Sequence, residues 1–172
     1  YSVLSIETEL MKTAKEIGVE FDHYIDIDTE ETVQLDQAKK VKFEQLNKKF
    51  IARETCLRVA EELKQHTEYG EKVILFAASQ PHCNELVRAI NEVFKTDADE
   101  LAPRYAEAII SENNVLNATY KKWFKDIHRK PFVALSVDIM STGVDIPCVR
   151  YIAFASLTKS VGKYIQMLGR GA

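Results

Sequence analysis

The apolar positions of this chain follow two alternating patterns. From about residue 71 onward, short continuous apolar runs take turns with stretches of helical spacing. The runs are EKVILFAAS (71–79), AEAIIS (106–111), PFVALSV (131–137) and VRYIAFAS (149–156). Each is short and apolar at successive positions, which suits a strand buried on both faces. Between them, PHCNELVRAINEVF (81–94) and NNVLNATYKKWFKDI (113–127) carry a helical period, as does KSVGKYIQML (159–168) after the last run. Upstream, FIARETCLRVAEELKQH spaces Ile51, Cys56, Val59, Ala60 and Leu63 along one helical face, and Tyr69-Gly70 ends that helix. Buried strands alternating with helices build parallel βαβ units. The pattern therefore predicts an α/β fold, an open and mainly parallel sheet with helices on both faces.

Residues 1–47 read differently. The first 36 hold ten acidic side chains against Lys12 and Lys15. DHYIDIDTEETVQLD lacks a sustained helical period, so the segment reads as an acidic connecting linker with a helix around 5–17, followed by one domain over 48–172. With 172 residues, 46% hydrophobic and 28% charged, the chain can bury a core without disulfides. Cys56, Cys83 and Cys148 are odd in number and far apart, which excludes a disulfide framework and a zinc spacing and fits a reducing, cytoplasmic setting. No apolar run nears the roughly 20 residues of a membrane helix, so no membrane partner is expected. The net charge of −3 leaves nucleic-acid binding to local patterning.

In an open parallel sheet, ligands bind beyond the carboxyl ends of the strands. The stretches that follow the runs here are Ser79-Gln80-Pro81-His82, Ser111 to Asn114, Asp138 to Pro147 and Ser156 to Ser160. Small hydroxyls and backbone amides of this kind can hold phosphate oxygens. SVDIMSTGVDIP (136–147) is the richest of them. Gly143 allows a tight turn and close approach, Thr142 offers a hydroxyl, and Asp145 can accept from a ribose hydroxyl or hold an arginine. About twenty residues later, Gln166 and Arg170 stand four apart in QMLGRG and share a helical face, beside Gly169. A planar guanidinium there suits a phosphate.

Taken together, STGVDIP and TKS-x5-QMLGRG resemble motifs V and VI of superfamily 2 helicases and translocases, and VILFAAS resembles motif IV. The resemblance spans about residues 48–172, the second RecA-like domain, and is most similar to the motor subunit of type I restriction enzymes. It implies an ATP-dependent DNA translocase within a restriction endonuclease. Gln166 and Arg170 would face the terminal phosphates of ATP. Gly143, Asp145 and Gly169 would line the nucleotide side of the cleft. Thr142, Ser79 and Lys159 would contact the DNA backbone. ATP and magnesium would be held mainly by a first RecA-like domain of the same chain. The further partners would be double-stranded DNA and the modification and specificity subunits. The family's second arginine would fall three residues beyond Arg170, past Ala172. The chain also begins at Tyr1 rather than Met, so it reads as a piece of a larger motor that stops short of that arginine.

There is no GxxxxGK[ST] and no DEAD-like tetrad, so these residues alone are expected neither to hydrolyse ATP nor to cut DNA. A repair or phage helicase of the same superfamily is the alternative. A non-catalytic nucleotide-binding α/β module is a remoter one. In YKKWFKDIHRK (120–130), five cations interleave with Tyr120, Trp123 and Phe124. Trp123, Phe124 and Ile127 sit at core spacing, so this stretch reads as a helix with a solvated basic face rather than a nucleic-acid patch. His82-Cys83 are sequence neighbours with no evident third catalytic group, Cys148 reads as a small core residue, and His23, His66 and His128 show no ligand spacing.

Overall fold

The four apolar runs form strands of one sheet. The computed structural model describes residues 2–5, 19–26, 32–41, 50–95, 104–109, 115–137 and 148–155; for 2–5, 19–26, 32–41, 50 and 115–117 it describes the backbone. In chain order the elements are β1 (Ser2–Ser5), β2 (Val19–Asp26), β3 (Thr32–Val41), β4 (Phe50–Ile51), α1 (Arg53–His66), β5 (Lys72–Phe76), α2 (Gln80–Val93), β6 (Ala106–Ala108), α3 (Val115–Phe124), β7 (Val133–Ser136) and β8 (Val149–Phe154).

The main sheet runs β1-β8-β5-β7-β6, and each adjacent pair is parallel. Strand periodicity splits the apolar runs between its two sides. Val73 and Leu75 of β5, with Val133 and Leu135 of β7, pack under α1 and α2. The alternate positions Ile74, Phe76, Ala134, Ile152 and Phe154 pack on the other side with Phe124 of α3. Helices therefore cover both faces, as the pattern predicts. No helix among the described residues is long and apolar enough to cross a membrane.

The α1–α2 side is held by polar contacts as well as by apolar burial. The Glu85 carboxylate, only 3% exposed, accepts from Arg53 and Arg88, both at 3.2 Å. Arg53 also reaches Glu92 at 2.6 Å. Buried Asn91 joins α2 to β6: its Nδ2 donates to the Val87 and Ala106 carbonyls at 2.8 and 2.9 Å, and its Oδ1 accepts from the Ala106 N–H at 3.1 Å. Thr67 closes α1 by donating from both N–H and hydroxyl to the Leu63 carbonyl, and Gly70 turns the chain at φ 95°.

The acidic segment departs from the expected connecting stretch. Ser2–Ser5 pair with Tyr151–Phe154 as an edge strand of the main sheet. Val19–Asp26 and Thr32–Val41 form an antiparallel pair with an irregularity between Phe21 and His23, and Phe50–Ile51 join β2. Strands need only a period of two, and Val19/Phe21 and Val33/Leu35 supply it. The helices expected around 5–17 and over 159–168 lie outside the described residues, apart from Ser5, which ends β1.

Candidate functional site

All strands of the main sheet run the same way, so their carboxyl ends share one edge. β5 is central at that edge, flanked by β7 and β8. Hydrogen bonds past the strand ends carry the sheet outward: the Ala77 N–H donates to Ser136 at 2.9 Å and the Ala155 N–H to Phe76 at 3.0 Å. Residues 138–147 follow β7, and residues 156–160 follow β8.

The turn from β5 into α2 is the part of this edge whose side chains are described. Ser79 is the N-cap of α2, in an extended conformation, and its Oγ accepts from the His82 N–H at 3.3 Å. Pro81 sits in the first helical turn, where an N–H would otherwise be unpaired. His82 is fully buried, and its Nδ1 accepts from the Ala78 N–H at 3.2 Å. Burial lowers the imidazole to about 3, so the ring is neutral and carries its proton on Nε2. That Nε2 has no partner among the described residues. The Cys83 N–H donates to the Ser79 carbonyl at 2.9 Å.

This turn is closed on itself. The Ala78, His82 and Cys83 amides are directed inward and Pro81 has none, while the Gln80 N–H makes no hydrogen bond to a described residue. The exposed Gln80 and Asn84 side chains lie 3.5 Å apart beside it. The turn offers donors for a phosphate oxygen but no carboxylate ligand for magnesium. Cys83 is no nucleophile: burial pushes its thiol up to about 12.

Of the eight residues singled out by sequence, Ser79 is described, at the carboxyl edge. Thr142, Gly143, Asp145, Lys159, Gln166, Gly169 and Arg170 lie outside the described residues. Sequence reasoning named His82 beside Cys83 but missed that it is buried and braces the turn. Its only signal was an imidazole three residues after an N-cap serine.

Residues 54–172 match the helicase conserved C-terminal domain. The chain belongs to that family. Comparison of the sequence with curated proteins gives no match. Among solved structures, the helicase C-terminal domain described here is similar to a fragment assigned as the HsdR subunit of a type I restriction enzyme from Vibrio vulnificus YJ016. The TM-score is 0.58 at 23% sequence identity, over 69% of this chain and 23% of that one. The chain thus spans about a quarter of that protein's length, and the likeness is one of fold. It agrees with the parallel sheet and its two helical layers.

Proposed function

We propose that this helicase C-terminal domain is the second motor domain of an ATP-dependent double-stranded DNA translocase, of the kind found in the motor subunit of type I restriction enzymes. The observation that carries the reading is the family match over 54–172, joined to a sheet in which β7 and β8 flank β5. The segments with STGVDIP and QMLGRG therefore continue from strands on either side of the Ser79 turn. The fold likeness to the HsdR fragment supports the restriction-enzyme variety of motor.

In this reading Arg170, with Gln166, brings positive charge to the γ-phosphate as the bond to it breaks. ATP and magnesium are supplied by a first motor domain. Gly143, Asp145 and Gly169 border the nucleotide. Thr142 and Lys159 touch the DNA backbone, and the Ser79 turn presents its Gln80 N–H there while Ser79 itself holds the turn. Backbone contacts read no sequence, which suits a motor that must step along any duplex. Such an arginine acts across a domain boundary, so hydrolysis is coupled to closing and opening of the cleft.

The test is ATP turnover by the intact parent protein, with and without duplex DNA, in wild type and Arg170→Ala. DNA-stimulated turnover should fall by about 10³-fold or more in the variant while ATP binding is kept. Turnover indifferent to both DNA and the substitution would overturn the motor reading.

A further inference from the structure

The stretch from Lys121 to Lys130 holds five cations and one acid, Asp126. The core spacing expected for it ends at Phe124. That ring is fully buried, whereas Ile127 is 55% exposed and Trp123 is half-buried. α3 stops at Phe124, so Ile127 lies in the following turns and not on a helix face. Lys122, Lys125 and Arg129 are exposed, and Lys121 and Lys130 are half-buried. The stretch is therefore an open basic surface with an aromatic ring set into it.

Among the described residues the arginines and the lysines behave differently: Lys64, Lys72 and Lys95 have no carboxylate partner, whereas Arg129 differs from the other described arginines. Arg53, Arg58, Arg88, Arg104 and Arg150 each have a carboxylate partner. None of the five cations between 121 and 130 has one among the described residues. Arg129 instead lies 5.9 Å over the Trp123 ring. Asp126 faces its own turn: its Oδ1 accepts from the His128 N–H at 3.0 Å. Lys121 and Lys122 also offset the negative end of α3, but Lys125, Arg129 and Lys130 lie beyond the helix and have no such role.

The surface is also tied to the sheet from beneath. The buried Lys72 ammonium donates to the Arg129 carbonyl and, at 2.8 Å, to the Pro131 carbonyl. It sits 5.0 and 4.9 Å from the Phe124 and Phe132 ring centres. Cys148 Sγ lies 3.6 Å from both the Phe124 and Lys125 carbonyls. Lys72 opens β5, so these contacts fix the basic turn at the amino edge of the sheet. The Ser79 turn is at the other edge, roughly 15 Å away by strand length.

We propose that the α3 end and the turn to Lys130 form a second, sequence-independent binding surface for the phosphate backbone of duplex nucleic acid. It is separate from the carboxyl-edge contacts. Unpaired cations on a pre-set backbone release counterions from a duplex at little ordering cost. A tryptophan stacked under an arginine adds a flat face for sugar or base edges. Such a surface would hold duplex alongside the motor without depending on the nucleotide state.

Trp123 is the only tryptophan of the chain, so its fluorescence reports on this surface directly. The experiment titrates the chain with a 20-base-pair duplex of arbitrary sequence at several salt concentrations. It compares wild type with the Lys121→Gln, Lys122→Gln, Lys125→Gln, Arg129→Gln combination. The duplex should change wild-type Trp123 emission. The combined variant should bind about 10-fold or more weakly, with its salt slope reduced by roughly one per cation removed. A second combination, Lys121→Arg, Lys122→Arg and Lys125→Arg, should bind as wild type does. Duplex binding that is unchanged in the Gln combination would overturn the proposal. So would emission that responds to polyglutamate and not to duplex, which would make the partner an acidic protein. The readout involves no nucleotide, so its failure is distinct from failure of the motor reading.

Discussion

The two faces of the sheet are built on different terms. On one, α1 and α2 cover the strands and are joined by ion pairs: Glu85 between Arg53 and Arg88, and Arg53 on to Glu92. On the other, α3 places one ring, Phe124, fully in the core and leaves its cations without carboxylates among the described residues. Both faces have a buried polar side chain that ties an element to its neighbour. Asn91 on the first is neutral and links a helix to a strand. Lys72 on the second is charged and links a strand to a surface turn. The difference teaches where stability and binding are separated. The first face is consolidated by its polar groups, whereas the cations of the second are not joined to carboxylates among the described residues.

The largest expected effect tests the consolidated face. Asn91→Leu removes the partner of the buried Ala106 N–H and C=O, and should cost about 2–3 kcal/mol in denaturant unfolding. A loss below about 0.5 kcal/mol would mean that the helix–strand link is dispensable and that the faces differ less than their contacts imply.

Lys72 sharpens the contrast through pH. Burial lowers its ammonium from 10.5 to about 8, with Cys148 and Asp126 pulling the other way. The folded state therefore binds fewer protons than the unfolded state between about 8 and 10.5. The contribution of Lys72 to stability must rise as pH climbs through that window and stay flat below it. The buried thiols Cys56 and Cys83 are pushed up, Cys83 to about 12, and act in the opposite direction above 9.0. The measurement is thus the difference between wild type and Lys72→Met across this range. The difference should move in favour of wild type as pH rises from 8. At neutral pH, Lys72→Met leaves two carbonyls without a donor but also removes a buried charge, so its net cost should stay near 1 kcal/mol.

The smallest effect is the most discriminating. Arg53→Gln should cost about 0.5–1 kcal/mol, because it leaves Glu85 with Arg88 alone. Lys125→Gln should lie within about 0.5 kcal/mol of wild type, because no ion pair is lost. Equal costs for the two, read from matched unfolding curves, would erase the distinction between paired and unpaired faces.

Much of this architecture was legible in the sequence, and the misses share a cause. VILF, VALS and YIAF are apolar at every position, so they could be recognised as strands buried on both sides without knowing their neighbours. Their spatial order could not, because nothing local says that β8 lies between β1 and β5. The alternation in Val19/Phe21 and Val33/Leu35 is too brief to stand out among ten acidic residues, so the strands there were not legible. Ile127 was assigned to a core face because a helical period was carried past the point where α3 stops. Lys72 looked like a polar strand end, since its burial depends on carbonyls more than fifty residues away. The chemistry was legible in another sense: STGVDIP and QMLGRG are local signatures, and Ser79 could be placed at the carboxyl edge from its position after a run. Their mutual geometry depends on residues 138–147 and 156–172, which lie outside the described residues.

Asn91 has one more consequence. Among the described residues β6 is the last strand of the sheet on its side, and Ala106 turns its N–H and C=O away from β7 toward the Asn91 amide. An exposed pair of this kind is a template on which a strand from another molecule can add. The carboxamide occupies that template with a donor and an acceptor of its own, as a neighbouring peptide group would. A helix residue thereby covers one peptide position of that margin, at Ala106.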